Sequence, residues 1–183
     1  MERDFGADLR AQRRHDLQRR DDYRDRRKIV EFSRPYFEFE PAIVVPRISA
    51  LRSVQDLAGG IIGVRRATSA EEVVRKRRLA KSTGTFHLDV NAYCALRTDE
   101  LDAVVDDDPI AEAFQKQFPG LKVTGTIEDT KMQYGIVFAK GDGVLRMAVD
   151  QALSKLEIAC TYADLYQQWF GESGPRLPAV SSE

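Results

Sequence analysis

Short apolar runs rich in β-branched residues alternate with capped amphipathic stretches through the middle of this chain, and that alternation limits the fold more than any other feature. Glu40, Pro41 and Pro46 bracket Ala42-Ile43-Val44-Val45, a short buried strand, because the flanking prolines disfavour helix. Asp56-Leu57-Ala58-Gly59-Gly60 reads as a turn and Ile61 to Arg65 as the next strand. Ser69-Ala70-Glu71-Glu72 is a capping box, the Ser69 hydroxyl and Glu72 carboxylate taking the first free amides of a helix predicted to run to about Lys81. Thr85 to Val90 is predicted as strand, with Asn91 capping a helix that carries Tyr93, Cys94 and Leu96. Asp102 to Val105 is strand, Pro109 to Gln117 helix with proline in its first position, Leu121 to Thr124 strand, and Tyr134 to Ala139 a last strand. Two helices follow, Val144 to Ile158 with Leu145, Val149, Ala152, Leu153 and Leu156 on one face, and Tyr162 to Phe170, closed by Gly171. These spacings suit right-handed crossovers, so the expected class is α/β with an open, mainly parallel sheet.

The 183 residues carry 28 basic against 29 acidic side chains, and the balance hides an uneven distribution. Met1 to Lys28 holds ten basic and seven acidic residues with few apolar ones, too little burial to offset ordering entropy, so disorder or a frayed helix is expected there. With acids interspersed it makes a poor phosphate-binding arm, and no nucleic-acid partner is expected. No apolar run approaches the roughly 18 residues of a membrane span, and membrane insertion is not expected. The N-terminus lacks the basic stub and apolar core of a secretory signal, which points to the cytoplasm for the chain as written. Cys94 and Cys160 lack CxxC spacing and are expected to be buried free thiols. Gly174 to Glu183 reads as a disordered tail.

In an open α/β sheet, ligands bind beyond the carboxyl ends of strands, beside helix N-termini, and two places qualify. After Ile61 to Arg65 comes Arg66-Ala67-Thr68-Ser69, which is either a simple helix cap or an anion site. After Asp102 to Val105 comes Asp106-Asp107-Asp108-Pro109. With Asp108 as N-cap, Asp107 is left to meet a cation such as an ammonium group; a solvated, capped turn is the alternative. A metal would need further oxygen ligands that the sequence does not supply, so no metal site and no cofactor are expected. Neighbouring anion and ammonium sites would suit a zwitterion such as an amino acid. His87, in a strand, reads as a surface or half-buried residue, and no nucleophile motif or phosphate loop is present, so no catalytic residue is nominated.

Several ordered motifs then accumulate: Phe32-Ser33-Arg34-Pro35-Tyr36-Phe37; Ala42 to Val45; Asp56-Leu57-Ala58-Gly59; Ile62-Gly63-Val64-Arg65-Arg66-Ala67-Thr68-Ser69; Leu101 to Asp107; Tyr134 to Gly141; Val149 to Leu153; and Trp169-Phe170-Gly171. Together, from about Arg26 to Gly171, they resemble the bacterial extracellular solute-binding proteins of family 3, which serve ABC importers of polar amino acids. The resemblance implies a clamshell of the periplasmic-binding-protein type II kind, with the second lobe complete and the first partial. It places a non-family segment at 1–28, a remnant of lobe one and the first crossing strand at 29–46, lobe two at 47–128, the second crossing at 129–140, lobe-one helices at 141–172 and the tail at 173–183. It also implies that Thr68 and Ser69 contact the α-carboxylate, that Asp107 takes the α-ammonium between the lobes, and that Arg26 forks onto the carboxylate from lobe one. The implied role is the binding component of an ABC importer, not an enzyme, working with membrane permease subunits in the periplasm or outside the cell. The family's two threonines before that arginine align with Asp21 and Tyr23, so the chain reads as a relative truncated at its N-terminus, with binding weakened or abolished. The alternative is a cyclohexadienyl or arogenate dehydratase-like enzyme on the same fold, with Asp106 or Asp107 as its acid/base carboxylate.

Overall fold

The computed structural model describes residues 28–171 and 177–178. Arg26 and the segments expected to be disordered at the two ends lie outside the described residues, apart from Lys28, Leu177 and Pro178. Along the chain the strands are β1 (Val30–Phe32), β2 (Phe37–Phe39), β3 (Pro41–Pro46), β4 (Ile61–Arg65), β5 (Ser82–Phe86), β6 (Ala103–Asp107), β7 (Leu121–Thr126), β8 (Met132–Tyr134) and β9 (Val137–Ala139). The helices are α1 (Ser69–Lys76), α2 (Asp89–Arg97), α3 (Asp108–Gln117), α4 (Gly143–Ile158) and α5 (Thr161–Phe170). The described residues divide into two compact units, the first Phe39–Lys131, the second the described residues before Phe39 and after Lys131.

In the first unit five strands form one sheet in the order β5-β4-β6-β3-β7. β5, β4 and β6 are parallel, whereas β3 is antiparallel to both of its neighbours, so four strands share one direction and β3 opposes them. Its five consecutive buried residues, Pro41 to Val45, fit only an interior strand covered on both faces. The prolines sit at its ends, where a missing ladder donor costs least. Strand alternation sends Ala42 and Val44 to one face, where they join Ala92, Tyr93, Leu96, Val104 and Ala111 in a core under α2 and α3. On the other face lie the buried Ile43 and Val45. α1 adds buried Ala70, Val73 and Val74 to this unit.

Several boundaries differ from expectation for identifiable reasons. α1 stops at Lys76, short of Lys81, because Arg78 takes a left-handed conformation (φ 52°) and the Leu79 amide closes onto the Val74 carbonyl at 3.1 Å. β5 occupies Ser82–Phe86 rather than Thr85 to Val90, since its parallel register against β4 matches Ile61 with Ser82 and Arg65 with Phe86. His87 therefore lies just past the strand, exposed. α2 starts at Asp89, so Asn91 sits inside its first turn and does not cap it. Its period turns Ala92, Tyr93, Ala95 and Leu96 inward, which leaves Cys94 exposed and overturns its reading as a buried thiol.

In the second unit β1 pairs antiparallel with β9, and β2 is hydrogen-bonded to β8. The strand expected over Tyr134 to Ala139 is thus two short ones, joined where Ser33 holds Ile136 in both directions: the Ser33 amide donates to the Ile136 carbonyl and the Ile136 amide to Ser33 Oγ, each at 2.9 Å. The following residues of the Phe32 to Phe37 motif hold helices. The Arg34 amide donates to Asp150 at 2.6 Å, and its guanidinium reaches Ser154 at 2.7 Å and Glu157 at 3.3 Å, all on α4. Phe37 stacks between Tyr134 and Tyr166, with ring centroids 5.8 Å from each. Cys160 joins α4 to α5 at φ 60° and is exposed, again not a buried thiol. No side chain of α4 or α5 is buried, and Val144, Leu145, Ile158 and Trp169 lie more than half exposed. Among the described residues no helix is long and apolar enough to cross a membrane.

Candidate functional site

β4 leads through α1 to β5 on one side, and β6 lies on its other side, so the sheet reverses direction of growth beside β4. A crevice at the carboxyl ends of β4 and β6 is where this topology places a ligand. Thr68 and Ser69 follow β4, and Asp107 ends β6.

The helix cap forms one residue earlier than the sequence suggests, and the carboxylate that reaches back takes the amide before the N-cap residue, so the expected box does not close. Thr68, not Ser69, is the N-cap of α1: its Oγ1 accepts the Glu71 amide at 3.3 Å and donates to the Arg65 carbonyl at 2.8 Å. Glu71, not Glu72, reaches back, its carboxylate accepting the Ala67 amide at 2.7 Å. Ala67 adopts φ 59° to make this turn. Because Thr68 caps, the Ser69 hydroxyl is released from that duty and donates instead to Asp107 Oδ1 at 3.3 Å. Ser69 and Ala70 open α1 with amides directed along the helix axis, the arrangement that favours an anion.

The acidic corner is shifted in the same sense. Asp107, rather than Asp108, holds the N-cap position of α3, but its side chain makes no capping bond. The Asp108 amide is taken by the Glu40 carbonyl at 3.0 Å, and burial pushes the Asp108 carboxyl up to about 6. Asp107 is half-buried and directed toward Ser69. The structure therefore joins Ser69 and Asp107 directly and places Thr68 at the adjoining cap. Arg26, the fourth residue singled out in the sequence, lies outside the described residues.

Two features escaped the sequence reading. Asp106 is 4% exposed, its Oδ1 accepting the Asp107 amide at 2.9 Å and its Oδ2 the Tyr93 hydroxyl at 3.3 Å. Burial pushes its carboxyl up to about 7, with the charges of Asp89 and Asp107 adding to the rise. Arg65 pairs with Asp89 at 3.0 Å, tying the end of β4 to the start of α2. Strand alternation was the available signal for Asp106: in Ala103 to Asp107 consecutive aspartates must face opposite sides of the sheet. Among the described residues no three His, Cys, Asp or Glu side chains are grouped to hold a metal ion.

The site thus pairs a helix N-terminus carrying a hydroxyl with a carboxylate from the neighbouring strand, on a mixed α/β sheet. The sequence profile of the bacterial extracellular solute-binding proteins, family 3, matches residues 17–172. The chain is 28% identical over 150 residues to the ABC transporter glutamine-binding protein GlnH of Bacillus subtilis, covering 81% of this chain and 54% of that protein. It is 26% identical over 151 residues to ABC transporter arginine-binding protein 1 of Escherichia coli, covering 80% of this chain and 61% of that one. The fold matches the crystal structure of the arginine-, lysine-, histidine-binding protein ArtJ from Geobacillus stearothermophilus with a TM-score of 0.73 and 30% identity, over 82% of this chain and 66% of ArtJ. The chain spans little more than half the length of these curated relatives. With a profile match over most of its length and the same fold in a relative 30% identical, the chain belongs to the bacterial extracellular solute-binding proteins of family 3.

Proposed function

We propose that this chain is the substrate-binding component of an ABC importer for a polar amino acid, acting outside the cytoplasmic membrane with permease subunits, and that it binds without catalysing a reaction. The observation that carries this reading is the 3.3 Å approach of Ser69 Oγ to Asp107 Oδ1, at the mouth of a helix N-terminus. A zwitterion divides that pair: its ammonium takes Asp107, and its carboxylate takes the Ser69 hydroxyl and the opening amides of α1, with Thr68 shaping the turn. Arg26 is assigned to the carboxylate by family resemblance. Lobe two, 47–128 in this reading, lies within the first unit.

Thr68, Ser69 and Asp107 belong to the first unit, and Arg26 is the contact assigned to the other lobe. A dehydratase would need a carboxylic acid within reach of its substrate. Asp106 has the raised pKa for that task, but it is enclosed by Tyr93 and the Asp107 amide, which favours binding over turnover.

Calorimetric titration with arginine, lysine, histidine, glutamine, glutamate and cystine tests the proposal. Saturable binding of at least one of them, with no product formed and at least tenfold weakening in Asp107→Ala, is the expected result. No binding across the panel, unchanged affinity in Asp107→Ala, or conversion of prephenate or arogenate would overturn it.

A further inference from the structure

Asp106 makes none of the ligand contacts proposed above, yet it is the one buried carboxylate among the described residues. Its position in the strand explains why. Asp106 lies opposite Ala42 and Asp107 opposite Pro41, so Asp106 shares the α2 and α3 face of the sheet while Asp107 points to the other. The two are nevertheless coupled, because Asp106 Oδ1 accepts the backbone amide of Asp107 itself at 2.9 Å. The second oxygen takes the hydroxyl of Tyr93, a fully buried ring stacked on Phe114 at 4.1 Å and held in place by that packing. A continuous chain of contacts runs from the rigid core ring, through Asp106, to the Asp107 backbone, and from the Asp107 carboxylate to Ser69.

We propose that Asp106 is a positioning residue for the amino-acid site: from inside the fold it fixes the Asp107 backbone, sets the direction in which the Asp107 carboxylate meets a ligand ammonium, and adds its own charge behind it. The ligand part of this inference rests on the amino-acid-binding reading above; the positioning part does not. The charged and titratable groups around Asp106 are Tyr93 and Asp89 on α2, Arg65 on β4 acting through Asp89, Asp107 and Asp108 at the start of α3, and Glu40 before β3. In this set Arg65 is the one cation. A protonated Asp106 still accepts the Asp107 amide through its carbonyl oxygen, so loss of its charge leaves the geometry in place. With its carboxyl titrating at about 7, the charge behind Asp107 changes across neutrality while the contact persists.

Two variants separate contact from charge. Asp106→Asn keeps an acceptor for the Asp107 amide and removes the charge; Asp106→Ala removes both. The experiment is a pH series of amide proton–nitrogen spectra on the full chain, without and with L-arginine or L-glutamine. In the wild type the Asp107 amide resonance is expected to titrate with a midpoint near 7, and in Asp106→Asn to lose that step and keep only the one near 6 that Asp108 causes. Affinity for L-arginine is expected to rise about tenfold from pH 5.5 to 8 in the wild type and clearly less in Asp106→Asn, where only Asp108 gains charge over this range; the two match at pH 5.5. Asp106→Ala is expected to bind at least tenfold more weakly at every pH.

An Asp107 amide that does not titrate in the wild type overturns the proposal whether or not a ligand binds. A titrating amide with no shift caused by either amino acid supports the positioning contact and overturns the amino-acid reading alone. Equal pH profiles for wild type and Asp106→Asn, or full affinity in Asp106→Ala, overturn the coupling to recognition. If Asp106→Ala fails to fold, the comparison of wild type with Asp106→Asn decides the matter.

Discussion

A buried carboxyl that prefers its proton makes a fold acid-stable, and Asp106 gives this chain that signature. Its folded pKa of about 7 lies above the unfolded value of about 3.9, so the native state binds the proton more tightly. The stability this confers is complete below about pH 4 and is lost as pH rises through 7, a change on the order of 4 kcal/mol at most. Asp108, raised to about 6, acts in the same direction. Urea melts from pH 4 to 8 should show the wild type weakening as pH rises and Asp106→Asn weakening much less; a wild type that strengthens over this range would contradict the burial described. Cys160 is a second residue-scale case. It holds φ 60° without glycine's freedom, at a cost of about 1 kcal/mol, so Cys160→Gly should raise the unfolding free energy by about that amount and a loss of stability would show the turn is not strained.

At the scale of elements, Gly63 in the middle of β4 shows how closely the first unit is packed. A methyl group there would lie 2.5 Å from Leu101 and 3.2 Å from Val104, both buried, with Phe86 at 3.4 Å. Gly63→Ala should therefore destabilise by about 1–3 kcal/mol in chemical denaturation, and a neutral result would mean that Leu101 has room to turn away. The elements themselves were largely legible in the sequence, because apolar periodicity and turn residues act locally. Their ends were not. The extents of β5 and α1 follow from pairing with β4 and from a left-handed Arg78, which is a conformation that arginine does not announce. The same limit applies to the site: Ser69 and Asp107 are legible from their place after strands, whereas the one-residue shift of both caps depends on Glu71 reaching Ala67 and Glu40 taking the Asp108 amide. Strand alternation puts Asp106 on the face opposite Asp107, but its enclosure was not legible, since its partner Tyr93 comes from another element.

At the scale of the whole molecule, the second unit carries α4 and α5 with Val144 80% exposed, Ile158 83% and Trp169 73%. Apolar surface of this extent on a folded unit marks a face for dye binding or association. The native chain should enhance fluorescence of a hydrophobic dye at neutral pH while still unfolding in a cooperative thermal transition; dye binding no greater than that of an ordinary globular control would show the face to be covered. The order of the five strands in the first unit carries a different consequence, one of timing. β3 is made before the other four but lies between the last two, pairing Val44 with Val104 and Val45 with Lys122. Contacts across sixty and more residues of chain are slow to close. As the chain leaves the ribosome, β3 must wait, apolar on both faces, until β6 and β7 have been synthesised, and only then can the sheet shut around it.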